Sequence, residues 1–175
     1  MALSIGVLLA GLGALAIGFG SLGGDPDPRR VQSDVEREQT VRSAQALTDY
    51  DVVVPVDLPD GWTTTTSRVD RGATGASVYF RALLGPDEQY VGLLVLAADE
   101  EQRVEQETEE ADVVGTEEAG GLTWDVHAEQ SDGDVAWTSV DDERTVVLVG
   151  GRSADAEDLR TVARSLEPAE EAGTT

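Results

Sequence analysis

The side chains able to do chemistry are sparse in this chain, and they converge on one stretch. "TWDVHAEQ", Thr123 to Gln130, holds the only histidine of the 175 residues, two positions after Asp125 and close to Trp124. An aspartate beside a histidine is the orienter and base of a nucleophilic hydrolase, in which the imidazole takes a proton from a hydroxyl. Candidate hydroxyls follow at Ser131, Thr138 and Ser139. None of them sits in a G-x-S-x-G elbow. A metal-ligand role for His127 is the other chemical option, without help from thiolates because the chain has no cysteine.

The element that must carry this histidine reads differently. On a strand, alternate side chains point to opposite faces, so Leu122, Trp124, Val126 and Ala128 face one way and Thr123, Asp125, His127 and Glu129 the other. Apolar and polar residues sort completely. Asp125 and His127 are then same-face neighbours about 7 Å apart at Cα, which allows a hydrogen bond without requiring one. A strand with one buried and one wetted face accounts for the whole stretch, so no catalytic residue and no metal ligand is assigned to it.

Two other constellations are weighed in the same way. Glu105, Glu107, Glu109, Glu110 and Asp112 form the densest acidic run, but the D-x-[DN]-x-[DN]-G spacing of a calcium loop is missing. A solvated acidic face explains the run. Gly150 and Gly151 lie between a strand and a helix, as in phosphate loops, yet G-x-G-x-x-G and G-x-x-x-x-G-K-[ST] are both absent. A tight turn that needs free φ is the plainer reading. No cofactor is implied.

Charge narrows the partners. Thirty-five acidic residues oppose 12 basic ones, all arginine, for a formal charge of −23. That field repels phosphate backbones and anionic headgroups, which argues against nucleic acid as a partner. It suits solubility in a high-salt or high-GC lineage, or a cationic partner such as Ca²⁺ or a basic protein.

Along the chain, residues 2–22 carry no charge and no proline, and as a helix they span about 31 Å, the thickness of a bilayer core. The segment is read as an uncleaved anchor over 1–24. A cleaved signal peptide is the competitor, disfavoured by the length of the apolar run and the lack of a basic n-region. Gly6, Ala10, Ala14 and Gly18 recur every four residues and offer a stripe for self-association in the bilayer. After the "GGDPDPRR" boundary, residues 25–49 read as a juxtamembrane linker with a stalk helix bearing a thin stripe of Val31, Val35, Val41, Ala44 and Leu47.

Residues 50–168 form the globular domain, and 169–175 a disordered tail. Strands are expected at 52–54, 63–70, 76–84, 89–97, 121–129, 134–140 and 144–150, with Asp60-Gly61 and Asp132-Gly133 as turn signals. The last of these strands, "TVVLVGG", is apolar on both faces and is expected inside the sheet. The acidic run from Asp99 to Gly115 is expected to be a short helix and a loop. "SADAEDLRTVARSLEP" places Ala156, Leu159, Val162, Ala163 and Leu166 on one helical face, with Ser153 or Asp155 as N-cap and Pro168 as a stop. The fold class is therefore α+β: an N-terminal transmembrane helix and stalk, then a mostly antiparallel sheet with a C-terminal amphipathic helix packed on one face.

Together with the apolar N-terminus, "VVVPVDLPDGW", "YVGLLVLA", "GGLTWDV" and "ERTVVLVGGRSADAEDLRTVARSL" resemble an uncharacterised actinobacterial family of single-pass membrane proteins, a domain of unknown function. Pro55, Gly61, Trp62, Gly121, Trp124, Gly150, Leu159 and Leu166 carry the resemblance. All are structural positions, so it implies an architecture and a membrane location but no catalytic residue. It also implies a domain outside the cytoplasm, against the positive-inside count, because Arg29, Arg30, Arg37 and Arg42 all lie C-terminal to the span. The expected function is a membrane-anchored, extracytoplasmic, non-enzymatic interaction or sensing domain for an unknown envelope protein or ligand. The alternatives are a cell-envelope hydrolase and a cation-binding protein.

Overall fold

The computed structural model describes residues 31–72 and 74–169. The apolar segment 2–22, with its small-residue stripe, lies outside the described residues, as does the tail from residue 170. Among the described residues no helix is long and apolar enough to cross a membrane.

The order of elements is α1 (Asp34–Leu47), β1 (Val53–Pro55), β2 (Thr63–Arg71), β3 (Ser77–Leu84), β4 (Tyr90–Ala97), α2 (Glu101–Thr108), β5 (Val113–Ala119), β6 (Leu122–His127), β7 (Val135–Val140), β8 (Arg144–Gly150), α3 (Ala156–Arg164) and β9 (Leu166–Pro168). Strands β2 to β8 build one seven-stranded sheet in the order β2-β3-β4-β8-β7-β6-β5, while β1 and β9 pair separately. Every pairing is antiparallel. The fold is α+β. Strand β8 sits at the centre of the sheet, as its doubly apolar sequence demands, and Thr145 through Gly150 are all buried.

The sheet separates two apolar layers. One face meets α1, α3 and the β1–β9 ribbon in a cluster that joins Ala44, Val52, Val54, Tyr79, Leu93, Trp124, Trp137, Leu148, Leu159 and Val162. The indoles of Trp124 and Trp137 anchor it, with ring centroids 6.3 Å apart and planes tilted by 47°. The other face is smaller, with Val78, Phe80, Leu94, Leu96, Ala136 and Val147 buried and Val104 of α2 and Tyr90 packed against them.

Local chemistry explains the helices. Ser33 and Glu36 close a reciprocal capping box at the start of α1, and Asp155 and Asp158 do the same for α3. In α3, Leu159, Val162 and Ala163 fall on the sheet side. The segment read as a stalk is packed rather than free-standing: Ala44 is fully buried, and the Gln32 amide nitrogen and backbone N–H donate to the carbonyls of Ser67 and Thr64 in β2. Val35 and Leu47 of the same helix remain exposed.

Three segments depart from the sequence reading. Helix α3 stops at Arg164, because the Ser165 N–H and hydroxyl both return to the Val162 carbonyl and close the last turn. Leu166 is thus buried from strand β9, not from the helix, and Pro168 pairs with Val53. β5 is an additional strand formed from the end of the acidic run, "VVGTEEA", where a loop and unassigned residues were expected. Its signal was Gly120-Gly121, both at positive φ, which joins β5 to β6 through a two-residue hairpin turn.

Candidate functional site

His127 closes β6, and both of its ring nitrogens are occupied. Nδ1 lies 2.9 Å from the Ala111 carbonyl oxygen and Nε2 2.9 Å from Thr138 Oγ1 on β7. The carbonyl only accepts, so Nδ1 carries a hydrogen, and in the neutral ring Nε2 accepts from the threonine hydroxyl. The ring is half-buried and ties the loop before β5 to β6 and β7. On the face expected to be wetted, Thr123, Asp125 and Glu129 are exposed, whereas His127 forms a bridge.

A threonine hydroxyl on a histidine nitrogen is also the contact between a nucleophile and its base, so the surroundings decide its meaning. Thr138 is only 5% exposed, which leaves an incoming carbonyl no approach. Asp125 makes no hydrogen bond to the ring, whose Nδ1 is held by backbone, and it lies exposed opposite Thr138 in the β6–β7 register. The remaining candidates disperse. Ser139 is buried and points to the other face of β7, and Ser131 donates to Glu109 Oε2 at 2.9 Å in an exposed loop. His127→Ala removes partners from two polar atoms, one of them the buried Thr138 hydroxyl. The substitution should cost about 1–3 kcal/mol, read as a lower urea midpoint with the far-UV spectrum unchanged.

The acidic run divides along α2. Glu105, Glu109 and Glu110, with Gln102 and Gln106, line an open cleft of about 320 Å³, whereas Glu107 turns inward to pair with Arg103 at 2.6 Å. Asp112 is exposed beyond the helix. Among the described residues no group of three or more His, Asp or Glu is placed to hold a metal ion. Gly150 and Gly151 have no positive φ. A Cβ on Gly150 would lie 2.7 Å from Leu159 Cδ1, so close packing of α3, rather than a turn, requires this glycine. A second groove, about 420 Å³, runs between α1 and β2 and is lined by polar side chains that include Gln32, Gln39, Thr40 and Ser67.

The family model described as "Protein of unknown function (DUF4245)" matches residues 1–166. The chain belongs to this family. No curated protein and no solved structure matches it.

What sequence reasoning missed in this DUF4245 chain is a set of buried polar groups. Arg81 is 6% exposed in the layer beneath α1, hydrogen-bonded to Tyr79, and desolvation lowers its pKa. Its signal was a lone charge inside "SVYFRALL". The Tyr50 hydroxyl lies 2.7 Å from the Ser77 carbonyl oxygen and 2.9 Å from that of Val95, and burial followed by the nearby Glu100 raises its pKa strongly. Glu100, 1% exposed, accepts from the Thr74 amide and hydroxyl and so pins the β2–β3 loop.

Beneath α2, burial raises the pKa of Glu107 above its ordinary 4.5, against the pull of Arg103, and burial with Asp132 raises that of Asp134 above 3.8. Unfolded, both groups release their protons at the ordinary values. The folded chain therefore holds more protons just above that range, and stability falls as pH rises through the raised values. Asp141 works the other way. Slight burial opposes it, but the amides of Glu143 and Arg144 hold its pKa below 3.8, so its contribution is lost only in stronger acid. Urea midpoints should decline as pH rises just above the ordinary carboxylate range, and Glu107→Gln should flatten that decline.

Proposed function

We propose that this chain is a membrane-anchored, non-enzymatic interaction or sensing domain of the cell envelope, held by residues 2–22 and exposed outside the cytoplasm. The observation that carries the reading is the state of the single histidine. Its ring nitrogens are committed to Ala111 and Thr138, and its aspartate neighbour lies on an open strand face rather than in a pocket. A rigid sheet that presents polar and apolar side chains on an open face suits recognition of another surface. The uncharged run from Ala2 to Leu22 supports the anchor, and the Gly6, Ala10, Ala14 and Gly18 stripe is proposed as a self-association face within the bilayer.

Orientation is the part that a single experiment decides. Protease added to intact spheroplasts should degrade the domain while a cytoplasmic control survives. Full protection until lysis would place the domain inside, as the C-terminal arginines alone suggest. The non-enzymatic part is tested in the same cells: His127→Ala should leave the cellular phenotype near wild type. A folded variant that behaves like a deletion would overturn it.

A further inference from the structure

Among the described residues, strand β5 ends the seven-stranded sheet and pairs only with β6. The two-residue turn at Gly120-Gly121 sets its register: Ala119↔Leu122 and Glu117↔Trp124 exchange bonds with β6, so Thr116 and Glu118 turn their N–H and C=O groups away from the sheet. The opposite edge is treated differently, since β2 receives the Gln32 N–H on the Thr64 carbonyl at 3.1 Å and lies against α1. At the start of β5, Val113 and Val114 are 53% and 65% exposed. These are large apolar side chains with no core to fill. Helix α2 packs on β7 and β8, and Thr116, Glu118, Thr123 and Asp125 remain exposed beyond it.

Charge selects the occupant. Asp112, Glu118 and Asp125 lie along this strip, and among the described residues no arginine pairs with them; Arg160 reaches Glu117 and Glu157 on the α3 side. A second copy of the chain would bring its own carboxylates against these, and like charges across a strand pair are destabilising. No lysine and no proline blunts the edge, and the one irregularity is a register shift between Val113 and Gly115. We propose that β5 takes up an extended segment of another protein, rich in lysine or arginine and with alternating apolar residues, as an eighth strand. Backbone bonds to Thr116 and Glu118 give affinity, the valines receive the apolar side chains, and the carboxylates select the basic ones. The inference rests on the interaction-domain reading and specifies the partner's chemistry.

The test uses the full-length chain in nanodiscs of uncharged lipid, with a short synthetic peptide alternating arginine and valine as probe. The peptide should slow hydrogen exchange at the Thr116 and Glu118 amides. Methylation of its alternate backbone nitrogens, which keeps charge and composition, should weaken binding about tenfold or more, as several edge bonds are lost. Thr116→Pro should weaken it similarly, because the lost N–H points outward and the internal ladder is spared. Equal binding of the methylated peptide, of a glutamate-valine peptide, or by a folded Thr116→Pro chain would overturn the proposal, and so would protection confined to the α1–β2 groove. Photo-crosslinkers at Val114 and at Val35 in native membranes separate the two levels of inference. Protein adducts at Val35 alone would sink the β5 site and leave the interaction domain standing, whereas silence at both positions would sink both. An adduct at Val114 that maps to a basic, extended segment supports the site.

Discussion

Leu159→Ala should lower the free energy of unfolding by about 2–5 kcal/mol. The side chain is fully buried where α3 meets the sheet, in one cluster with both buried tryptophans, Val162 and Leu148. The cost falls toward the upper part of that range when surrounding atoms cannot close the cavity. Here one wall is the Gly150 backbone on the central strand β8, and that strand is hydrogen-bonded on both sides by β4 and β7. A strand so placed does not move to fill a hole. The check is urea unfolding of Leu159→Ala beside Arg164→Ala, whose exposed side chain should matter by no more than about 0.5 kcal/mol. Matching midpoints for the two variants would show that α3 is not docked as described.

Gly120→Ala should be the second severe change, and Gly121→Ala its internal control. Both glycines lie in the left-handed region, at φ of 61° and 74°, so either alanine carries about 1–2 kcal/mol of backbone strain. They differ in what surrounds them. A Cβ on Gly121 meets nothing within 4 Å, whereas one on Gly120 would lie 2.0 Å from the Ala163 carbonyl oxygen at the end of α3. Two pieces of backbone must then separate, which adds about 1–3 kcal/mol of overpacking and lifts the β5–β6 hairpin from the helix. Thermal melts of the pair measure the difference directly. Equal losses would mean that the hairpin does not rest on α3.

What was legible in the sequence follows from how each element is stabilised. β3, β4 and β8 announce themselves because "SVYFRALL", "YVGLLVLA" and "RTVVLVG" are buried on both faces, and their expected limits hold to within one residue. The face of α3 was legible from its apolar spacing, but its end was not. The turn at Ser165 and the pairing of Leu166 with Pro55 are decided by a strand more than a hundred residues earlier. β5 was hidden because an edge strand with little to bury has no hydrophobic period, and only the paired glycines after it betray the hairpin. The candidate site was half legible. Alternation placed His127 on the face opposite Trp124, but its two partners come from a loop and a neighbouring strand, Ala111 and Thr138, which periodicity along one segment does not reveal.

The small β1–β9 ribbon gives the domain a mechanical character. In its register Val53 lies beside Pro168 and Pro55 beside Leu166, so the chain enters at Val52 and leaves at Ala169 from the same end of the ribbon. The Ala169 N–H bond to the Val52 carbonyl is the outermost rung, and the Val56 N–H bond to the Ser165 carbonyl the innermost. Tension between the segments entering at Val52 and leaving at Ala169 would load these rungs one after another, as in opening a zipper, rather than all together in shear. The ribbon is thus the compliant element under such a pull, and it yields while the seven-stranded sheet behind it still carries no load.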